Sequence, residues 1–195
     1  MGLQVAALLM MAAFYGCYFG KMLRQKKQGV RTDQIGRGKT GAAKRVEITM
    51  KIAALLAPLA ELAGIARGVC AFPTAVRIFG AACAALGVAA FAVSVRTMGD
   101  SWRAGVSPEE KTEFVTSGVY RFSRNPAFLG FDLLYLGIAL MFASWPLWLV
   151  SAFAAAMLHV QIVRVEEPFL ARTFGSAYRN YCRHVRRYFG RKRAG

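Results

Sequence analysis

Polar and apolar residues alternate in long blocks along this chain, and five apolar blocks stand out. Leu3 to Gly20 carries only Gln4 as a strongly polar member. Ile48 to Ala66 is interrupted by Lys51, Pro58 and Glu61, whereas Ile78 to Val95 is nearly uncharged and rich in Ala and Gly. Pro126 to Ala143 and Pro146 to Val163 are joined by Ser144 and Trp145. Each block approaches the ~20 residues that cross a bilayer, allowing for tilt and local thinning. Lipid offers no partner to a free backbone N–H or C=O, so such runs are predicted to be helices. After Val165 the pattern changes. Leu170, Phe174, Tyr178, Tyr181 and Val185 recur at helical spacing, with Arg172, Arg179, Arg183 and Arg186 on other faces, which predicts an amphipathic helix. The expected fold is all-α: a polytopic bundle of about five transmembrane helices with a cytoplasmic C-terminal amphipathic helix. It is read as one domain over residues 1–195, with three spans and a basic loop in 1–95 and the motif-bearing region in 96–195.

Composition agrees with membrane spans. Of 195 residues, 56% are hydrophobic and 18% charged, an unusual balance for a soluble domain of this size. The net charge of +16 would suit a nucleic-acid partner, but the bases lie in connections and the tail rather than along one helix face. Nine occupy Lys21 to Glu47: Lys21, Arg24, Lys26, Lys27, Arg31, Arg37, Lys39, Lys44 and Arg45. Five more are Arg96, Arg103, Lys111, Arg121 and Arg124, and nine follow from Arg164 onward. The alternate connections, Gly68 to Val76 and Ser144-Trp145, have none. By the positive-inside rule the N-terminus is outside and the C-terminus cytoplasmic, with Trp145 and Trp148 at the outer interface. An integral protein of a bacterial cytoplasmic membrane is expected. The first run has no basic leader, since Lys21 follows it, and reads as a retained span rather than a signal peptide. The Gly- and Lys-rich stretch from Arg24 to Thr40 has no apolar period and is expected to be mobile. Its charges anchor topology or hold anionic headgroups. Cys17, Cys70, Cys83 and Cys182 show no metal-ligand spacing, so neither a metal nor a disulfide is expected.

Chemistry concentrates where charge meets these spans. Pro126 suits the first turn of a helix and Asn125 before it is a good N-cap. With Arg124, that helix start offers an anion site. Gly130 permits close approach of a helix or a ligand. Glu166 and Glu167 follow the last span, where a carboxylate can hold an ammonium, ribose hydroxyls, or Arg124 itself. Asp132, seven residues after Asn125, is placed on the same helix face, either facing a cavity or pairing with a buried donor. Glu61, His159 and Gln161 are further polar exceptions within spans. No Gly-rich strand-turn-helix fingerprint is present, which excludes a soluble Rossmann-type cofactor-binding domain.

Gly118, Tyr120, Arg124, Asn125, Pro126, Phe128 and Gly130 form one block, and Glu166, Glu167, Leu170, Phe174, Gly175, Tyr178 and Tyr181 a second. In order and spacing they resemble the G-x-Y-x-x-x-R-H-P-x-Y-x-G and E-E-x-x-L-x-x-x-F-G-x-x-Y-x-x-Y motifs of membrane methyltransferases. That group is typified by isoprenylcysteine carboxyl methyltransferase and the phospholipid N-methyltransferases. The segment Met98-Gly99-Asp100-Ser101-Trp102-Arg103-Ala104-Gly105-Val106 is similar to an M-G-x-S-W-R-x-G-I segment of bacterial relatives. The resemblance implies S-adenosylmethionine as cofactor, held by Tyr120, Arg124, Asn125, Pro126, Phe128, Gly130, Glu166, Glu167, Tyr178 and Tyr181 beneath the C-terminal helix. It implies catalytic roles for Arg124, Asn125, Glu167 and Asp132, and substrate contacts from Trp102, Arg103 and Asp132. Membrane lipids and a lipophilic or prenylated substrate are the implied partners, without nucleic acid or metal.

Two departures bear on mechanism. Asn125 stands where the family has His, which removes a titratable ring but keeps hydrogen-bonding capacity. Phe128 replaces Tyr and lacks its hydroxyl. A carboxylate acceptor is already ionised and needs mainly positioning, whereas an amine acceptor needs a base. Loss of the His therefore favours a carboxylate of isoprenylcysteine type, with a phospholipid amine as the alternative. Tyr181-Cys182-Arg183-His184-Val185 also resembles the ending of NADPH-dependent membrane sterol and enoyl reductases. A non-enzymatic membrane scaffold is the remaining reading.

Overall fold

A computed structural model describes residues 1–106 and 113–192; Lys111 of the basic connection lies outside the described residues. Among the described residues six α-helices run in order: α1 Gly2–Lys27, α2 Gly41–Arg67, α3 Thr74–Met98, α4 Pro126–Met141, α5 Trp145–Gln161 and α6 Glu167–His184. Among the described residues there is no strand, only the isolated bridges Asp33–Ala104 and Val185–Arg191. Among the described residues four helical stretches are long and apolar enough to cross a membrane, namely α1, α2, α3 and the continuous run Trp145–His184 that begins with α5, and α4 is a shorter apolar helix. At 16 residues, α4 spans ~24 Å, less than the ~30 Å of a bilayer's hydrocarbon.

The helices pair chiefly as α3 with α4 and α2 with α5, while α1 lies against α3. The α3–α4 seam is built from small residues. A Cβ added at Gly137 would fall 2.5 Å from the Ala84 nitrogen and 2.6 Å from the Gly80 carbonyl oxygen, so the two backbones touch there. An aromatic cluster fills the space between α1, α3 and α4: Phe14 stacks on Phe91 at 4.4 Å and meets Phe131 edge-on at 4.7 Å. Met50, Ala53 and Ala57 of α2 pack with Tyr135 of α4 and Ala154 and Leu158 of α5. Large apolar side chains such as Leu9, Leu55, Leu59, Phe79, Leu86 and Leu149 remain outside, as lipid-facing positions would.

Side chains tie one end of the bundle, Gln4 and Arg77 among them. Gln4 donates to the Ile65 carbonyl at 2.8 Å, and Arg77 to that of Met141 at 3.0 Å. The other end carries most of the charge, and there the structure corrects two expectations. The block holding Lys51, Pro58 and Glu61 forms a helix as expected, α2, which is continuous over 27 residues and begins before Ile48. The loop after α1 is folded, because its polar side chains find buried partners. Gln25 donates to the Trp102 carbonyl at 3.0 Å and receives the Thr32 hydroxyl at 2.6 Å. Gln34 and Ala104 extend this with backbone bonds of 2.8 and 3.0 Å. Glu47, fully buried, then takes Gly36 N–H, Lys39 and the Gln161 amide. Finally, the apolar stripe after Val165 does not lie on one straight helix. A π-helical turn, Ile162–Glu166, precedes α6, Gly175 breaks α6 with φ 51° and ψ −119°, and Val185 lies past its end.

Candidate functional site

The residues from Phe122 to Pro126 form a tight loop that meets the C-terminal tail. Arg124 N–H donates to the Arg186 carbonyl at 3.1 Å, and Gly190 N–H to that of Phe122 at 2.7 Å. Asn125 does not cap α4 through its side chain. Its amide instead donates to the Arg187 carbonyl at 3.1 Å, while Ser123 Oγ receives Asn125 N–H. Asn125 thus holds the expected N-cap position, but its side chain is turned to the tail rather than to the first turn of α4. Pro126 opens α4, as its fixed φ favours.

The break at Gly175 requires a backbone that L residues rarely adopt, and it turns the second half of α6 back over this loop. Tyr181 donates its hydroxyl to the Tyr120 carbonyl at 2.5 Å. Arg124 Nη1 reaches Tyr178 Oη at 3.2 Å and Cys182 Sγ at 2.6 Å. Its Nη2 pairs with Glu167 Oε1 at 3.1 Å. Arg187 grips the same carboxylate with a fork, Nε to Oε1 at 2.8 Å and Nη2 to Oε2 at 2.9 Å. Arg187 was not singled out from sequence; the fork geometry arises only when the tail folds back 20 residues. Its guanidinium pKa is raised by the Glu167 hydrogen bonds.

The two adjacent glutamates diverge, as neighbours about 100° apart around a helix do, at the point where the π-turn Ile162–Glu166 gives way to α6. Glu167 faces the arginines, while Glu166 faces a cavity of about 440 Å³ enclosed by α1, α2, α4, α6 and the 101–106 segment. That volume lies within the range of about 300–1,000 Å³ usual for small-molecule sites. Of the residues expected to bind cofactor or substrate, Trp102, Arg103, Tyr120, Arg124, Asn125, Phe128, Glu166, Tyr178 and Tyr181 line it. Pro126, Gly130, Glu167 and Asp132 are not in its wall. Gly130 serves the α3 seam, since a Cβ there would lie 2.9 Å from both the Gly87 carbonyl oxygen and Phe91 Cβ. Asp132 turns to the other side of α4 and interacts electrostatically with Tyr188, whose hydroxyl lies 2.7 Å from His159 Nδ1.

The cavity has two chemical halves. At the charged end, Phe114 stacks on Phe174 at 4.8 Å and meets Tyr181 edge-on at 5.5 Å; neither phenylalanine pairing was legible from spacing. Arg124 Nε is buried there without a partner. Burial raises the Glu166 carboxyl to about 7, with Glu47 adding to the effect and Gln161 and Lys39 opposing it. Burial likewise raises the pKa of Tyr120, Tyr178 and Tyr181. Deeper in, Phe128, Phe131, Met50, Ala54 and Pro58 make an apolar wall that reaches Tyr15. A charged, aromatic pocket opening onto an apolar one suits a polar reagent and a lipophilic one together.

Comparison with known proteins draws on the same region. A family model described as phospholipid methyltransferase matches residues 75–177, from the start of α3 to within α6. Among curated proteins, the chain is 33% identical over 100 residues to the cobalt-zinc-cadmium resistance protein CzcN of Cupriavidus metallidurans, covering 51% of this chain and 46% of that protein. It is 30% identical over 109 residues to the nickel-cobalt-cadmium resistance protein NccN of Alcaligenes xylosoxydans xylosoxydans, covering 55% and 51%. The chain thus spans about half the length of the curated relatives it matches. Among the described residues no group of three or more His, Cys, Asp or Glu is arranged to hold a metal ion.

Proposed function

The chain belongs to the phospholipid methyltransferase family, and we propose that it transfers a methyl group from S-adenosylmethionine to a lipophilic acceptor at the cytoplasmic face of a membrane. The observation that carries the proposal is the union of the two motif blocks around one cavity, polar and aromatic at the charged end and apolar within the bundle. The residues present fit the cofactor. Glu166 suits its ammonium, and the buried, unpartnered Arg124 Nε together with the α4 first turn, which no side chain caps, suits its carboxylate. Phe114, Phe174 and Tyr181 supply aromatic faces for its base.

When bound, S-adenosylmethionine supplies an electrophilic methyl group on a sulfonium. The chain's task is then alignment and exclusion of water. Glu167 is a positioning residue: saturated by Arg124 and Arg187, it locks the tail and α6 over the loop. Phe128 and Phe131 keep the acceptor's side of the cavity apolar. An isoprenylcysteine-type carboxylate needs no proton removed. An amine acceptor does, and in that case Glu166, raised to about 7, takes that proton, which Asn125 cannot, instead of pairing with the cofactor's ammonium.

Calorimetry on the detergent-purified protein tests the proposal. S-adenosylmethionine should bind, and Glu166→Gln should weaken it about tenfold or more by removing a charge-assisted bond. Absence of binding to the natural protein would refute the proposal.

A further inference from the structure

A second cavity, of about 460 Å³, adjoins the first across Phe169, which lines both. Three segments meet around it. The loop before α2 brings Lys39, the first turn of α2 brings Ala43, and the π-turn and α6 bring Arg164, Phe169, Arg172 and Thr173. Among the described residues no carboxylate stands in its wall. Lys39 is matched, since it pairs with Glu47 and also donates to the Val106 carbonyl. Arg164 and Arg172 are not. Both are exposed, and among the described residues neither guanidinium makes an ion pair or a hydrogen bond. Glu47 cannot serve them: it is fully buried and already takes Gly36 N–H, Lys39 and the Gln161 amide.

The start of α2 adds to this positive excess. The helix runs 27 residues, with no side-chain cap at Thr40 and no acidic residue in its first turn. The positive end of its dipole is therefore unmatched beside the two arginines. Position narrows the ligand. Arg164 follows Val163, the end of the fifth apolar block, and so stands at headgroup depth, where basic clusters attract anionic lipid. Guanidinium groups match phosphate oxygens with paired donors, and half-buried Phe169 offers apolar contact beside them.

We propose that Arg164, Arg172 and the start of α2 form a site for a phosphate group carried by an anionic membrane lipid. The site is separate from the place of the methyl acceptor, because Phe169 stands between the two cavities, and it does not depend on the methyltransferase reading. A lipid seated there bridges the basic loop, α2 and α6. A zwitterionic lipid brings a cation of its own against the two arginines and binds more weakly.

Thermal melting of the full detergent-purified chain tests this, in neutral micelles doped with phosphatidylglycerol or with phosphatidylcholine of the same acyl chains. Ligand bound to the folded state raises the melting temperature. Phosphatidylglycerol should reach half its effect at a mole fraction about tenfold lower than phosphatidylcholine. The double variant Arg164→Gln/Arg172→Gln should lose that preference, at about fivefold per arginine; both side chains are exposed, so the variant keeps its fold. Arg179→Gln/Arg183→Gln removes the same charge from exposed positions of α6 outside both cavities and should keep the preference. No stabilisation by phosphatidylglycerol, equal potency of the two lipids, or equal losses in the two double variants would overturn the site. Inorganic phosphate, at constant ionic strength, identifies the source. If it stabilises the chain as well as the anionic lipid and cancels the lipid's effect, the lipid is overturned as the ligand; if it does neither, the lipid site stands.

Discussion

Glu166 and Glu167 are neighbours in sequence with opposite environments, and their difference sets the pH behaviour of the site. The Glu167 carboxylate is matched by two guanidinium groups, whereas Glu166 is half-enclosed and raised from 4.5 to about 7. The folded protein therefore retains a proton on Glu166 between those values, where an unfolded chain has released it. Stability contributed by this group is full below the lower value and falls as pH rises through about 7. For an amine acceptor, the rate of methyl transfer should rise through the same range as Glu166 ionises, and Glu166→Gln should flatten the profile. For a carboxylate acceptor, with S-adenosylmethionine saturating, the rate should show no ionisation there. A pH–rate profile of both proteins checks this. The sequence reading favoured a base-independent acceptor because Asn125 replaces His. On the proposed reading Glu166 supplies a base from another element, at the end of a π-turn that residue spacing does not reveal.

Among the elements, the C-terminal tail and the α3–α4 pair are the most sharply testable. Removing one partner from the Arg124–Glu167–Arg187 group leaves largely buried charge uncompensated. Glu167→Gln should cost on the order of 3 kcal/mol of stability, and Arg187→Lys should rescue little relative to Arg187→Ala, because a lysine cannot form the fork. Thermal melting in detergent measures both. At the α3–α4 seam, Gly137→Val drives a side chain into the Ala84 and Gly80 backbones. It should cost at least ~1–3 kcal/mol, while Gly16→Ala, with nothing within 4 Å, should be neutral by the same assay. Five apolar helices and an amphipathic one were legible from block lengths, since lipid leaves the backbone no alternative. The folding of the basic loop was not. Gln25, Thr32 and Gln34 look solvated in sequence, and only the approach of the 102–104 segment supplies their partners. The break at Gly175 was equally hidden, because the apolar stripe continues through it.

For the whole molecule, charge and cavity lie at one end of the bundle, and the account places that end in the cytoplasm. Reporter fusions between Lys21 and Gly41 and after Gly190 should read cytoplasmic, while fusions at Cys70 and Ser144 should read external; a cytoplasmic Ser144 contradicts this orientation. The gross form of the site was readable because both motif blocks fall at helix ends on that side. Its wall was not, since Asp132 and Gly130 share a helix with Phe128 yet face away from the cavity, and their faces are set by packing on α3 and by the tail at Tyr188. The central claim is that this shared cavity performs methyl transfer. The direct measurement is incorporation of labelled methyl from S-adenosylmethionine into organic-extractable material, using the purified protein reconstituted with lipids of its own host. The account predicts label in a lipophilic product with the natural protein and at least about tenfold less with Glu166→Ala. No transfer above heat-inactivated protein, with the cofactor and host lipids both in excess, would contradict it.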